Sequence, residues 1–117
     1  MGLALRRKIP DIEIVGTSRN ASRRNLAVAC GAVQHAVESI HDACHNADVV
    51  VVASPVDRIA EMTIEAAENS PADCLITDVG STKAGIVDAV SRHSQARSKF
   101  VAAHPIAGSE KTGVQHA

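Results

Sequence analysis

Aromatic residues are almost absent from this 117-residue chain, which has one phenylalanine and neither tryptophan nor tyrosine. Nucleic-acid binding by base stacking needs aromatic platforms, so the composition disfavours that function. The formal net charge of −1 also gives no general attraction to nucleic acid or to anionic membranes. Because Ala, Val, Ile and Leu must form the core, the composition favours a parallel α/β sheet.

Cysteines and long apolar runs are also scarce. Cys30, Cys44 and Cys74 are odd in number and form no C-x-x-C motif, which indicates buried or idle thiols in a reducing cytoplasm. The apolar run from Met1 to Leu5 is too short for a signal peptide. No apolar stretch approaches the ~20 residues of a membrane span. We therefore expect a cytoplasmic protein without a membrane partner.

Strand and helix patterns alternate along the chain. The run Val49-Val50-Val51-Val52 predicts a strand that is buried on both faces. Asn20 or Ser22 can cap the start of a helix, and Gly31 predicts its end. The patterns together predict helices over 2–8, 20–30, 56–67 and 81–93, and strands over 12–16, 33–37, 48–53, 74–77 and 99–102.

This alternation predicts a doubly wound parallel sheet of the Rossmann type, with helices on both faces. Such a nucleotide-binding domain opens with a strand, a glycine-rich turn and a helix, whereas this chain starts inside the pattern of that helix. We expect an incomplete sheet that lacks its first, central strand, so that the early strands do not join the later ones. Residues 1–117 would then be a partial dinucleotide-binding domain of a longer protein. The alternative is a genuine short variant, and a sharp melting transition of the isolated chain would favour it.

Polar residues follow the predicted strands, at the edge where open α/β sheets bind ligands. Ser18 and Arg19 stand where an acidic residue would otherwise hold the adenosine ribose. A guanidinium pairs strongly with phosphate oxygens, so this pair suits a 2′-phosphate and favours NADP over NAD. The alternative is an ordinary solvated basic loop.

Two later loops are candidates for cofactor binding. Ser54 and Pro55 follow the valine strand, and Asp78 and Gly80 follow the next strand. Ser54 could instead cap a helix, as could Ser81. A lysine follows at position 83, in the predicted first helical turn. The helix dipole disfavours a cation there, which indicates that this lysine serves the site.

Histidines provide the remaining candidates. His104 follows the last predicted strand and precedes Pro105, which favours extended backbone, so His104 is a candidate proton acceptor or a structural histidine. His41 and His45 have a spacing that can place two metal ligands on one helix face. Because no third ligand is near in sequence, a polar turn without a metal is favoured.

Four segments resemble the prephenate/arogenate dehydrogenases of tyrosine biosynthesis. They are IVGTSR at 14–19, ASPV at 53–56, TDVGSTK at 77–83 and HPIAGSEKTGV at 104–114. The last two are specific, whereas the first two are shared with many nucleotide-binding domains. The resemblance covers almost the whole chain and stops at the family's glycine-rich loop and at its helical C-terminal dimerisation domain.

The resemblance implies NAD(P)-dependent oxidative decarboxylation of prephenate or arogenate. His104 matches the family base at the ring hydroxyl, and Ser81 matches the serine that orients this histidine, the hydroxyl and the nicotinamide. Ser109 and Glu110 match the loop that faces the substrate pocket. Ser18 and Arg19 match the adenosine-ribose end of the cofactor site.

The resemblance also implies that important parts lie outside this sequence. The family grips the substrate carboxylates largely from the C-terminal domain, so we expect the isolated chain to be inactive and the whole protein to be a homodimer. Two alternatives remain open. One is another two-domain NAD(P)-dependent hydroxyacid dehydrogenase, and the other is a non-catalytic nucleotide-binding module.

Overall fold

The structure, a computed structural model, describes residues 1–105, which form two compact units at 1–43 and 44–105. Among the described residues, no helix is long and apolar enough to cross a membrane. The short helix α3 (Ile40–Cys44), which the sequence does not predict, spans the point in the chain where the first unit ends and the second begins. Helices and parallel strands alternate in both units, as the sequence predicts.

The first unit is a two-stranded parallel sheet with helices. It contains α1 (Gly2–Lys8), β1 (Val15–Thr17), α2 (Ala21–Ala29) and β2 (His35–Val37), and β1 pairs with β2. The predicted limits of α2 are confirmed. The Asn20 side chain accepts a hydrogen bond from the Arg23 N–H at 3.1 Å. Gly31 follows the helix with φ +73°, a left-handed conformation that glycine adopts without strain.

The second unit is a three-stranded parallel sheet with helices. Its strands β3 (Val49–Val52), β4 (Leu75–Asp78) and β5 (Phe100–Val101) lie in the order β3-β4-β5. Its helices are α4 (Val56–Asn69), α5 (Ala84–Ser91) and α6 (Ser94–Lys99). Within residues 1–105 no strand joins this sheet to the β1-β2 sheet, as the sequence predicts.

The core of the second unit lies between one face of its sheet and α4, α5 and α6. Ile76 on β4 and Ile59 on α4 are fully buried, and Val90 and Ala96 add the apolar surface of α5 and α6. α4 packs against both β3 and β4. These small aliphatic side chains form the core that the near absence of aromatic residues predicts.

The opposite face of this sheet is largely exposed, so the prediction that β3 is buried on both faces is wrong for the described residues. Val49 is 55% exposed, and its partner Leu75 is 43% exposed. Successive side chains of a strand point to opposite faces, and the helices of this unit cover the face of Val52 and Ile76. A continuous valine run cannot by itself report whether both faces are covered.

The helix predicted over 81–93 is present but shorter, because α5 runs from Ala84 to Ser91, and the separate helix α6 that follows is not predicted. Arg92 and His93 donate their N–H groups to carbonyls three residues back, which tightens and ends α5. His93 then adopts an extended conformation with φ −108° and ψ 115°. Neither glycine nor proline marks this break, so the sequence carries no strong signal for it.

Lys99 is predicted as the start of a strand but is the last residue of α6, and it is buried. Its ammonium donates hydrogen bonds to the Ala67 carbonyl at 2.7 Å and to the Ser70 carbonyl at 2.9 Å. The Ser70 hydroxyl oxygen is a further acceptor at 3.2 Å. Lys99 therefore satisfies the carbonyls at the C-terminus of α4, where the helix dipole favours a cation.

The cysteines are unpaired thiols. Cys44 and Cys74 are buried, and Cys30 is exposed. Burial, together with the nearby Cys74 and Glu65, raises the pKa of the Cys44 thiol to about 11. Cys44 is therefore a neutral thiol at physiological pH, in agreement with the prediction of idle thiols.

Thr63 on α4 offers a test of the core. It is fully buried, and its hydroxyl has no hydrogen-bond partner among the described residues. A buried unsatisfied polar group costs about 1–3 kcal/mol, so Thr63→Val should stabilise α4 by roughly 1 kcal/mol. Native-state hydrogen exchange of the α4 amides should slow correspondingly.

Thr77→Val is the matched control, because the Thr77 hydroxyl donates to the Val101 carbonyl at 2.7 Å. This variant should accelerate exchange in β4 and β5. Faster exchange of α4 in Thr63→Val would show that the Thr63 hydroxyl is not a destabilising group.

Candidate functional site

The carboxyl ends of β3, β4 and β5 bring three candidate loops to one edge of the sheet. Val52 is in register with Asp78, and the Val79 N–H donates to the Val52 carbonyl at 3.2 Å. Thr77 is in register with Val101. The loops that begin at Ala53, Val79 and Ala102 therefore leave neighbouring strands at the same edge.

Asp78 connects two of these loops through its buried carboxylate. Its side chain is fully buried at the end of β4. One oxygen, Oδ2, accepts the Gly80 N–H at 2.9 Å and pairs with the Lys83 ammonium. The other, Oδ1, accepts the Ala103 N–H at 3.2 Å. The carboxylate thus holds the loop before α5 and the residue that precedes His104.

Asp78 is ionised despite its burial. Burial alone would raise the pKa of this carboxyl group, but the hydrogen bonds from Lys83, Gly80 and Ala103, together with the Lys83 charge, lower the pKa below its usual value. A fixed negative charge therefore lies under the carboxyl edge of the sheet at neutral pH.

Gly80 is required by close packing rather than by an unusual backbone conformation. A Cβ atom at this position would lie 2.6 Å from Cδ1 of Ile59 and 3.0 Å from Oδ2 of Asp78. Ile59 is fully buried and has little room to move. Glycine thus lets the backbone N–H approach the carboxylate.

Ser81 and Lys83 differ in position from what the sequence suggests. Lys83 occupies the N-cap position of α5, and Ser81 is exposed and lies before it, so the alternative of Ser81 as the helix cap is wrong. The misplaced cation has a physical explanation, because the Asp78 carboxylate compensates the unfavourable helix dipole. The helix dipole marks a lysine at this position as unusual, but the sequence does not show its partner.

Pro55 and Ser54 lie after β3. Pro55 is the N-cap residue of α4, and the Ser54 hydroxyl donates to the Pro55 carbonyl at 3.3 Å, so the alternative of Ser54 as the helix cap is also wrong. Ser54 is half-buried and Pro55 is exposed. Both residues remain candidates for cofactor binding.

His104 is exposed and lies directly after Ala103, whose N–H is held by Asp78. A solvent-accessible imidazole at this edge can exchange a proton with a bound molecule. Ser109 and Glu110 lie outside the described residues.

Ser18 and Arg19 follow β1 in the first unit. The Ser18 N–H donates to the Val37 carbonyl at 3.2 Å, and the Ser18 hydroxyl oxygen accepts the Asn20 N–H at the same distance. Arg24 is committed to this loop, because its guanidinium donates to the Ser18 carbonyl at 2.5 Å and pairs with Glu38. Arg19 is exposed and its guanidinium has no recorded partner within residues 1–105, so it is available to an anionic ligand.

Other parts of the described chain are weaker candidates for a ligand or metal site. A cavity of about 190 Å³ is lined by residues of α4 and of the α5–α6 turn, including Ile64, Glu68 and His93. This volume is below the ~300 Å³ of the smallest usual ligand pockets. In the part of the chain that is described, no group of three or more His, Cys, Asp or Glu side chains could hold a metal ion.

The lowered pKa of Asp78 predicts a loss of stability in acid. A carboxyl group with a lowered folded-state pKa stabilises the fold above its unfolded pKa, near 4, and loses this contribution as pH falls through the folded value. Asp78→Asn should therefore lower the thermal unfolding midpoint at pH 7 and weaken its decline below about pH 4. Thermal unfolding from pH 7 to pH 2.5 measures both effects.

Asp88→Asn is the control for this measurement, because Asp88 is exposed and pairs with Arg92 on the surface. Its effect should be small at every pH. An Asp78→Asn curve that runs parallel to the wild-type curve down to pH 2.5 would contradict the assignment of a lowered pKa.

Comparison with known proteins identifies the family. The family model "Prephenate dehydrogenase, nucleotide-binding domain" matches residues 1–117. The prephenate dehydrogenase of Bacillus subtilis is 33% identical over 115 residues, which cover 97% of this chain and 31% of that protein. The prephenate dehydrogenase of Lactococcus lactis is 34% identical over 119 residues, which cover 100% of this chain and 33% of that protein. The chain thus spans about a third of these relatives.

Solved structures agree with this result. Prephenate dehydrogenase from A. aeolicus in complex with hydroxyphenyl propionate and NAD⁺ has a TM-score of 0.84 and 31% identity, over 97% of this chain and 39% of that one. Synechocystis arogenate dehydrogenase has a TM-score of 0.83 and 25% identity, over 99% of this chain and 40% of that one. The Rossmann-type fold and the family resemblance are both confirmed, and the chain belongs to the family of prephenate dehydrogenase nucleotide-binding domains.

Proposed function

We propose that this chain is the nucleotide-binding part of an NAD(P)-dependent enzyme that oxidatively decarboxylates prephenate or arogenate. The observation that carries the proposal is the carboxyl edge of the β3-β4-β5 sheet, where exposed His104 follows a strand end held by Asp78. The A. aeolicus relative supports it, because its structure contains NAD⁺ and hydroxyphenyl propionate.

In this proposal His104 is the general base. The substrate carbon that carries the hydroxyl group gives up a hydride, and the nicotinamide cofactor supplies the acceptor when bound. His104 takes the hydroxyl proton as the carbon becomes a carbonyl, which avoids a cationic intermediate. Loss of carbon dioxide then moves its bonding electrons into the ring, which becomes aromatic. The former carbonyl oxygen takes the proton back from His104 as the phenol forms.

The neighbouring loops position the reactants. Ser81 is exposed at the same edge as His104, and its hydroxyl would orient the imidazole, the substrate hydroxyl and the nicotinamide. Ser54 and Pro55 would contact the cofactor from the end of β3. Ser109 and Glu110 would face the substrate. Gly80 would contribute through the close backbone approach that its missing side chain allows.

The cofactor is proposed to be NADP rather than NAD. Arg19 provides an exposed guanidinium beside Ser18. Arg24, on α2, donates a hydrogen bond to the Ser18 carbonyl and so holds this loop against the helix. No acidic side chain occupies positions 17–19, where a ribose 2′-hydroxyl would otherwise be recognised. A 2′-phosphate would therefore meet a cation and a hydroxyl group.

Residues 1–117 are proposed to be a partial dinucleotide-binding domain. The 117-residue chain alone is therefore proposed to be inactive. The complete enzyme is proposed to be a cytoplasmic homodimer whose helical C-terminal domain helps to bind the substrate. The inactivity of the chain alone is supported by the share of its relatives that it covers, which is 31–33% for the two bacterial enzymes.

Substitution of His104 tests the proposed base in the full-length gene product. His104→Asn should lower kcat by roughly 10²–10⁴-fold, as expected for loss of a general base, with the Kd for the cofactor nearly unchanged. Steady-state kinetics with prephenate and with arogenate, together with a cofactor titration, provide the measurement. His93→Asn is the matched control, because His93 is exposed at the start of α6. Unchanged turnover in His104→Asn would reject the base and favour another dehydrogenase class or a non-catalytic module.

Substitution of Arg19 tests the cofactor preference. Arg19→Ala should raise the Kd for NADP⁺ by roughly 10-fold, the effect of one lost charge-assisted hydrogen bond, and should change the Kd for NAD⁺ by less than about 2-fold. Isothermal titration with both cofactors measures this difference. Arg7→Ala, on the exposed end of α1, is the control. Equal losses for both cofactors would contradict recognition of the 2′-phosphate.

A further inference from the structure

We infer that Asp78 is a positioning residue that acts through His104, and not a ligand of the cofactor or substrate. This inference rests on the proposed function, because it assumes that His104 is the base. Asp78 holds the N–H of Ala103, the residue directly before His104, and so fixes where the His104 backbone leaves β5. The same carboxylate holds Gly80 and Lys83, on either side of Ser81.

The burial of Asp78 argues against direct contact with a ligand. Its side chain is fully buried, and both of its oxygens already accept hydrogen bonds from the chain. A carboxylate has about four acceptor positions, and three of them are used here by two backbone groups and an ammonium. Asp78 can therefore affect a bound ligand only through the loops that it holds.

Among residues 1–105, few other restraints hold this strand end. β5 consists only of Phe100 and Val101, and it pairs with β4 along that short length. Beyond β5, a hydrogen bond from the Ala103 N–H to the Asp78 carboxylate holds the segment that carries His104. The Thr77 hydroxyl also donates to the Val101 carbonyl at 2.7 Å, but that bond holds β5 itself, whereas the Asp78 bond holds the residue next to His104. The position of His104 therefore depends strongly on Asp78.

Lys83 keeps the anchor charged and oriented. Its ammonium donates to the second acceptor position of Oδ2, and its own side chain is only 26% exposed. Gly80 admits its N–H to the same oxygen because any side chain would meet Ile59. The carboxylate therefore has one defined orientation, with Oδ1 left to face Ala103.

Asp78→Asn tests the role of the carboxylate. The asparagine side chain has the same shape but presents one oxygen and one NH₂ group. If the oxygen faces Ala103, the NH₂ group meets the Gly80 and Lys83 donors; if it is flipped, the NH₂ group meets the Ala103 donor. Either arrangement loosens at least one of the loops that Asp78 holds.

The experiment is a kinetic double-mutant cycle in the full-length gene product, with Asp78→Asn and His104→Asn alone and combined. Asp78→Asn alone should lower kcat by roughly 10²-fold, the cost of about 1 Å of misplacement. A cofactor Kd within about 3-fold of wild type should accompany this loss. In the His104→Asn background, Asp78→Asn should lower kcat by less than about 3-fold further, since a residue that acts through His104 has no effect without it. Asp88→Asn, an exposed aspartate on α5, is the control in both backgrounds.

The outcomes separate this inference from the proposed function. If His104→Asn alone leaves kcat unchanged, the proposed base fails whatever Asp78 does. If His104→Asn is damaging but Asp78→Asn lowers kcat equally in both backgrounds, Asp78 supports the fold generally and the inference is overturned. Wild-type kcat in Asp78→Asn would overturn it as well.

Lys83→Gln serves if Asp78→Asn fails to fold. This variant keeps the carboxylate and both backbone hydrogen bonds but removes the ion pair. It should lower kcat by roughly 10-fold in the wild-type background, and this loss should nearly disappear with His104→Asn. A loss of equal size in both backgrounds would overturn the inference.

Discussion

The buried carboxylate of Asp78 is the constraint on which the carboxyl edge of the second unit depends. An ionised carboxylate without partners would cost several kcal/mol inside a protein, so its donors are as necessary as the charge itself. Those donors come from three places: the backbone at Gly80, the Lys83 side chain, and the backbone at Ala103. Satisfying one buried charge therefore fixes the end of β4, the approach to α5 and the end of β5 together.

The parts of the fold that the sequence predicts correctly are specified by local chemistry. An asparagine at the start and a glycine in left-handed conformation at the end define α2, and both signals lie within one turn of the helix. The order of strands and helices follows from apolar periodicity, and parallel pairing follows from the alternation. The strand ends that carry Ser54, Asp78 and His104 could be placed at one edge for the same reason.

The parts that the sequence misses depend on distant partners. The Lys99 ammonium and the Ala67 carbonyl are 32 residues apart, and Ala103 and Asp78 are 25 residues apart. No local pattern reports such contacts. Exposure of Val49 and Leu75 likewise depends on what covers the sheet, and identical valines would form a strand in either case. Arg19 could be singled out as a cation after a strand, but its lack of a partner within residues 1–105 is visible only in the structure.

Lys83 and Lys99 show how one residue type serves opposite ends of helices. Lys99 caps the carbonyls at the C-terminus of α4, where the helix dipole favours a cation and neutral oxygens suffice as acceptors. Lys83 lies at the N-terminus of α5, where the dipole opposes it, and its partner is a full negative charge. The unfavourable position thus requires the stronger partner. In this chain, the lysine that begins α5 shortly after β4 is paired with a buried acid at the end of that strand, and the same acid holds the segment of His104.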